Sequence, residues 1–269
     1  LMGLVGAMGC SALMLAGFGL RDSVDYVLVN HYTRTMHYDA RVSLEEGIPP
    51  AYGKSVALRG DARALEEEMI HSAEIFAQGE WRLKRLYVLA DGHEMIHLTD
   101  EAGERVALSP EGVALTRKAA EEYGLAPGDE LLVRNPGERG VAARVTQVVD
   151  LQLDQGVYMT REAFGKLGLG SFSPTEALLR GENLALDVVE EMEGVSRVRT
   201  LAQEREAGSA TLEIINIIVL LLVLFSGALE LVVFYNLGQL NFSERIRELA
   251  TLKVLGFTKG EMKKLVLRE

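Results

Sequence analysis

Cysteine is nearly absent from this sequence, with Cys10 alone among 269 residues. A single thiol excludes an intramolecular disulfide and a zinc site built from several cysteines. The chain also lacks a phosphate-binding loop of the form G-x-x-x-x-G-K-[ST] and a G-x-S-x-G nucleophile motif. These absences exclude nucleotide binding by a phosphate loop and hydrolysis by that type of serine site. We therefore expect no cofactor and no catalytic residue of these classes.

Charge is missing from two long apolar segments. Residues 1–20 contain no charged side chain, and Ile214–Leu237 contains only Glu230. A helix of about 20 apolar residues matches the roughly 30 Å hydrocarbon core of a bilayer. We therefore expect transmembrane helices at residues 1–20 and 211–240. A secretory signal peptide is the alternative for the first segment, although it has neither a basic start nor a small-residue cleavage site after Leu20.

The charges that are present divide the chain into an acidic part and a basic end. Residues 241–269 carry seven Lys or Arg and four acids, a net charge of +3; subtracting them from the totals of 28 and 39 leaves residues 1–240 with 21 and 35, or −14. Basic residues next to a membrane span are typical of its cytoplasmic side. We therefore expect residues 241–269 inside and residues 21–210 outside. The acidic excess argues against a nucleic-acid partner.

Two features of the apolar segments go beyond membrane insertion. Glycines recur in residues 1–20, and small residues let another membrane helix approach closely. Glu230 is a carboxylate near the middle of the second span, where insertion costs about 2.5–3.5 kcal/mol. Such a residue is a candidate functional site, with burial in a helix bundle or protonation as the alternative.

The segment between the spans has the pattern of a mixed domain. We predict an α+β extracytoplasmic domain, residues 21–210, inserted between two transmembrane α-helices and followed by a cytoplasmic helix. No internal repeat is expected. Apolar or alternating runs predict strands at Ala40–Leu44, Ser55–Leu58, Arg85–Ala90, Glu130–Arg134, Val141–Asp150 and Arg197–Leu201. Capping patterns predict helices at Ser109–Tyr123, closed by Gly124, and at Glu182–Met192, closed by Gly194.

One short string matches a metalloprotease motif. His93-Glu94-Met95-Ile96-His97 has the form H-E-x-x-H, which on a helix places two imidazoles beside a zinc ion. The neighbouring residues predict a strand and turns instead. In a strand the two histidines would stand about 13 Å apart, too far to share a metal. We therefore expect no metal site here and keep a zinc protease only as the least favoured alternative.

The basic end predicts a short amphipathic helix. Phe242, Ile246 and Leu249 share one face, Ser243 can cap the start, and Gly256 can end the helix in a left-handed turn. Thr258 and Glu261 form a capping box for a further helix. An amphipathic helix lying on anionic lipid and a DNA-binding helix-turn-helix are the alternatives.

The segment Glu244–Phe257, with Tyr235-Asn236-Leu237 before it, resembles the signature of FtsX-like permeases. These are membrane subunits of bacterial ABC systems and include the MacB and lipoprotein-release types. Four further segments are similar to large Gram-positive members: residues 9–13, 17–23, 115–129 and 157–159. Glu230 departs from the small or apolar residue of the family. A portion of a longer, multi-pass permease of the bacterial cell membrane is expected.

The resemblance implies a non-catalytic subunit whose cytoplasmic helix docks on a separate ABC ATPase. It assigns that coupling role to Glu244, Arg245, Arg247, Glu248, Thr251, Lys253 and Gly256. A second permease copy, or the other half of the same chain, is the further expected partner within the lipid bilayer. Export, lipoprotein release and mechanical signalling all remain open as the outcome. A membrane-anchored sensor that signals through its juxtamembrane helix is the alternative function.

Overall fold

The computed structural model describes residues 2–254, 256 and 260; within them, the side chains of residues 2–7, 10, 211–212, 241–249 and 251–253 are outside the description. The described residues form two compact units, Asp25–Ala210 and a helical unit made of the described residues up to 24 and from 211 onward. The helices are α1 Met2–Asn30, α2 Tyr52–Arg59, α3 Arg117–Tyr123, α4 Arg161–Leu167, α5 Leu186–Glu190 and α6 Leu201–Val254. A π-helical turn, His31–Thr35, follows α1 directly.

The unit Asp25–Ala210 is mixed α and β, as the sequence predicts. Its strands are β1 Ala40–Leu44, β2 Ala64–Ala77, β3 Glu80–Leu89, β4 Leu98–Thr99, β5 Arg105–Val106, β6 Val113–Thr116, β7 Glu130–Arg134, β8 Val141–Val149, β9 Gly156–Thr160, β10 Glu176–Arg180 and β11 Val195–Thr200. Nine of them form one sheet in the order β11-β1-β10-β2-β3-β9-β6-β8-β7.

Strand β2 joins two lobes of this sheet. Its first residues pair with β10, whereas Met69–Ala77 pairs with β3. Strand β7 pairs back onto β2 through Glu74–Phe76, which closes β2, β3, β9, β6, β8 and β7 into a six-stranded barrel. Apolar side chains such as Ile75, Leu115 and Met159 fill the core of this lobe. The other lobe packs its four-stranded sheet against α2 and α5.

The barrel contains an internal repeat, which corrects the expectation of none. Residues 112–125 and 156–169 share seven of fourteen residues at an offset of 44, among them the pairs Thr116/Thr160 and Gly124/Gly168. Each copy forms a buried strand and a seven-residue helix that ends at a left-handed glycine. Strands β6 and β9 pair with each other and run parallel to β8 and β3, respectively. The repeat is short and half identical, so its match becomes clear only when the two copies adopt the same structure.

Some predicted elements are confirmed and others are wrong. Ala40–Leu44 and Glu130–Arg134 are strands with the predicted bounds. Ser55–Leu58 lies in helix α2 instead, because Gly53 and Val56 at spacing i, i+3 bury one helical face. The predicted helix Ser109–Tyr123 begins only at Arg117, because Val113–Thr116 is a fully buried strand. The predicted helix Glu182–Met192 is confined to Leu186–Glu190.

Helix α6 differs most from the prediction. Its 54 residues continue through Ser243, which the sequence assigns as the cap of a separate cytoplasmic helix. No proline interrupts residues 201–254, so nothing removes the i to i−4 hydrogen bonds of the backbone. Gly256, just beyond the helix, has φ +92°, as predicted for a left-handed helix end. Within the described residues, only Leu201–Leu240 is long and apolar enough to cross a membrane, by length and composition alone.

Small residues mediate the contact between α1 and α6 in the helical unit. Gly17 is buried, and a Cβ atom added to it would lie 3.5 Å from Cγ1 of Val219. Val219 and Ser226, seven residues apart on α6, are both buried. Most other described side chains of these two segments expose large apolar surfaces, including Leu15, Phe225 and Leu231. A Cβ at this distance would make only an ordinary van der Waals contact, so Gly17 lies on the face of α1 that meets α6, and close packing through the glycines of the first segment stays a prediction.

Candidate functional site at the base of the domain

A buried polar cluster holds the first turn of α6 against the sheet of the domain. The Tyr38 hydroxyl donates a hydrogen bond to Oε2 of Glu204 at 2.5 Å, and Nε of Arg41 donates to the Tyr38 hydroxyl at 3.1 Å. The same guanidinium nitrogen lies 3.4 Å from Oε1 of Glu204. The Arg41 and Glu204 side chains are only 18% and 16% exposed, so solvent screens this ion pair weakly. The triad therefore fixes α6 to β1.

Glu68 lies on β2 beside this triad and is the most deeply buried acid of the described domain. It is 1% exposed, and neither of its carboxylate oxygens has a hydrogen-bond partner. Burial raises the pKa of Glu68 to about 8, and the nearby acids Glu176, Glu66 and Asp154 act in the same direction, whereas Arg41 opposes them. The carboxyl group is therefore mainly protonated at neutral pH.

A small, partly open cavity adjoins Glu68. Its volume of about 10 Å³ is room for one water molecule. His31 lies in the π-helical turn after α1, with Nε2 3.7 Å from Oδ2 of Asp154. Tyr87 and Tyr158 stack with ring centroids 4.5 Å apart. The lining residues are His31, Thr35, Met36, Arg41, Glu68, Ile70, Tyr87, Ile96, Leu151, Asp154 and Tyr158.

This cluster collects residues from both ends of the domain's chain. His31 directly follows α1, and Glu204 lies in the first turn of α6. Burial lowers the pKa of His31, with Asp154 opposing that effect, so the imidazole is neutral at neutral pH. A displacement of either segment has to break a buried hydrogen bond or expose a buried ionisable group. The cluster is therefore suited to resist, or to change its ionisation with, movement of the chain that follows α1 or of the first turn of α6.

The H-E-x-x-H string does not form a metal site. Residues 93–97 form a loop with one bridge rather than a helix. Leu108 N donates to Nε2 of His93 at 3.3 Å, so Nδ1 of His93 carries the proton and donates to the Ile96 carbonyl at 2.9 Å. His97 instead stacks on His37 at 3.7 Å. Residues 93–97 therefore lack the helical geometry that the zinc-protease alternative requires, and among the described residues no group of three His, Cys, Asp or Glu could hold a metal ion.

The transmembrane candidate Glu230 and the residues that the family resemblance assigns to coupling are not among the residues of this cluster. Glu230 is half-buried on α6. The backbone of residues 244–253 continues α6, but apart from Ala250 their side chains fall outside the described part of the chain. This applies to Glu244, Arg245, Arg247, Glu248, Thr251 and Lys253. Of the coupling residues, Gly256 alone is described, as an exposed turn residue.

The polar cluster around Arg41, Glu68 and Glu204 is not predicted from the sequence. Its members come from β1, β2, β3, β9, the π-helical turn and α6, so no local motif contains them. Glu68 is the last residue of a Glu66-Glu67-Glu68 run, which reads as a solvated segment. A strand through this run places Glu67 and Glu68 on opposite faces, and this alternation is the one signal that could have singled out Glu68.

No family model matches the sequence, and no curated protein matches it. Solved structures similar to this chain include the periplasmic region of MacB from Actinobacillus actinomycetemcomitans, at 11% identity and TM-score 0.45, covering 67% of this chain and 96% of that one. Another is the extracellular domain of the noncanonic ABC-type transporter YknZ from Gram-positive bacteria, at 12% identity and TM-score 0.40, covering 61% and 98%.

Proposed function

We propose that this chain is a portion of an ABC transporter permease. In this proposal it couples ATP binding and hydrolysis by a partner ATPase to movement of the domain Asp25–Ala210 outside the membrane. The observation that carries the proposal is the continuity of α6. One helix extends from Glu204, which is anchored in the domain, through the apolar segment to Val254 inside the permease-like motif.

A continuous helix suits this role because it is stiff along its axis. At 1.5 Å per residue, 54 residues extend about 80 Å, well beyond the thickness of a bilayer. In this proposal a displacement of the motif on the ATPase is passed along α6 towards the domain. Energy for the movement has to come from different affinities of the two ATPase states for the motif.

The motif itself has the chemistry of a docking segment. Arg245 and Arg247 alternate with Glu244 and Glu248, and such mixed charges fix the register of a protein contact. We propose that Thr251, Lys253 and Gly256 complete this surface. Glu230 is proposed to face a neighbouring membrane helix.

The test is co-purification of the chain with its ABC ATPase after charge reversal at Arg245→Glu and Glu248→Arg. Each reversal places like charges across the contact and is expected to weaken binding at least tenfold. Arg197→Glu, an exposed reversal on β11, is the matched control and should leave binding unchanged.

Retention of the ATPase by both motif variants would contradict the coupling role. It would favour the alternative, a membrane-anchored sensor whose juxtamembrane helix has another partner. Equal loss of binding in the Arg197→Glu control would instead indicate a general effect of charge and would also count against a specific contact at the motif.

A further inference from the structure

The cavity beside Glu68 holds two titratable groups whose ionised forms are both disfavoured by the closed domain. Glu68 and His31 are 1% and 9% exposed. The Glu68 carboxyl has no hydrogen-bond partner, and the cavity beside it has room for only one water molecule. A negative Glu68 or a positive His31 would therefore lack the solvation that it has in an open site.

The groups around Glu68 have mixed charges and come from every element packed against it. Arg41 is the one cation on β1, while acids approach from β10, from the loop before β9 and from β2 itself. The complete set of titratable and charged groups is His31, Tyr38, Arg41, Glu66, Tyr87, Asp154, Tyr158, Glu176 and Glu204. Arg41 is shared with Glu204 and Tyr38, so it does not neutralise Glu68 alone.

We propose that this cavity is a proton-sensitive latch of the domain, which stays closed while Glu68 is protonated and His31 is neutral, and which opens when either group becomes charged. The opening frees the π-helical turn after α1 from the sheet. The inference rests on the geometry of the domain and holds whether or not the chain couples to an ATPase.

Acidification strengthens closure through Glu68 and weakens closure through His31. Burial raises the pKa of Glu68 to about 8 from 4.5, so the closed form binds a proton that the open form releases. Closure through Glu68 therefore weakens as pH rises from 4.5 to 8, by up to tenfold per pH unit. Glu176, whose pKa burial also raises, acts in the same direction. His31 has a lowered pKa, so it weakens closure as pH falls below 6.5.

The expected profile follows from these signs. Between about pH 6.5 and 8 Glu68 acts and His31 does not, so opening increases with pH. Below 6.5 the effects of Glu68 and His31 offset each other, and opening changes little. Replacing either group by a residue that does not titrate should therefore leave the pH dependence of opening that comes from the other group.

Opening can be measured by the labelling rate of Leu151→Cys, at a cavity-lining position that is only 6% exposed, in the full chain with Cys10→Ser in lipid nanodiscs. Rates are divided by those of an exposed Ser196→Cys reference, which removes the pH dependence of the thiol itself. In the parent, the corrected rate should rise up to tenfold per pH unit from 6.5 to 8. In the Glu68→Gln variant the corrected rate should no longer rise between pH 6.5 and 8, and it should instead rise as the pH falls below 6.5. In the His31→Asn variant the increase of the corrected rate with pH should continue below pH 6.5.

Glu67→Gln is the matched control, because Glu67 accepts a hydrogen bond from Gly53 N and approaches Arg161, away from the cavity. It should keep the parent profile. Glu68→Met, similar in length and without charge, repeats the test if the glutamine variant folds poorly. A corrected rate that does not change with pH in the parent, or an alkaline rise that persists in both Glu68 variants, would overturn the latch.

Discussion

At the scale of single residues, the hydroxyl group of Tyr38 connects β1 to α6. It donates to Glu204 and accepts from Arg41, while its ring is only 2% exposed and lies beneath the Arg41 guanidinium at 5.0 Å. Both charged partners are mostly removed from water. A missing hydroxyl would leave two buried charged groups with one partner fewer each, and this costs more than an ordinary surface contact.

We predict that Tyr38→Phe lowers the stability of the domain by about 1–3 kcal/mol, because the ring stays in place and only the hydrogen bonds are lost. Thermal unfolding of the full chain in detergent measures this, at about 2–4 °C per kcal/mol for a domain of this size. Tyr26→Phe is the control, because the Tyr26 side chain is 62% exposed. Equal melting temperatures for the two variants would mean that the Tyr38 hydroxyl contributes nothing to the stability of the domain.

At the scale of elements, the barrel depends on two glycines that begin the repeated strands. A Cβ atom on Gly112 would lie 2.2 Å from the carbonyl oxygen of Arg144, and one on Gly156 would lie 2.3 Å from that of Arg85. Both obstacles are backbone atoms of the parallel neighbouring strands, so no side-chain rearrangement relieves them. The equivalent contacts make the two copies of the repeat structurally interchangeable at this point.

We predict that Gly112→Ala and Gly156→Ala each destabilise the domain by about 3 kcal/mol through this overlap. Gly165→Ala on α4 is the matched control, because a Cβ there meets nothing within 4 Å. Its better helix propensity should stabilise the domain by about 0.5–1 kcal/mol. Denaturant unfolding measures whether each variant lowers or raises the free energy of unfolding. Tolerance of alanine at one strand glycine and not at the other would show that the two copies bear different constraints.

At the scale of the whole molecule, the proposed function requires the domain and the motif on opposite sides of a membrane. The charge asymmetry of the sequence predicts this topology. Because the apolar segment lies within α6, a single crossing by that helix would separate Glu204 from the motif.

We predict that a cysteine at Arg139, in an exposed turn of the domain, reacts with a membrane-impermeant maleimide in intact cells carrying Cys10→Ser. A cysteine at Thr258 should react only after the membrane is permeabilised. Gel-shift labelling measures both. Reaction of both positions in intact cells, or of neither, would contradict the topology and with it the coupling proposal.

Several parts of the fold could be predicted because the signal is local. The alternation in Ala40–Leu44 and the apolar run in Glu130–Arg134 identify each as a strand, and Gly124 ends a helix as expected. Strand β2 escaped prediction, because three consecutive glutamates do not have the pattern of a buried strand. The run Ser55–Leu58 is apolar enough for either a strand or a helix. Packing against the sheet decides in favour of α2.

The sequence alone determined the features that depend on composition and chain order: two apolar segments that together contain a single charged residue, Glu230, the basic end after the second, and the motif that resembles a permease signature. Hydrophobicity and charge act on each segment separately, so neighbours in space are not needed to recognise them. Only the tertiary structure decided that β7 closes a barrel on β2, that residues 112–125 and 156–169 are equivalent, and that Glu68 is the acid without a partner. These features depend on which distant residues surround each side chain, since burial and the loss of hydration arise only when the chain has folded.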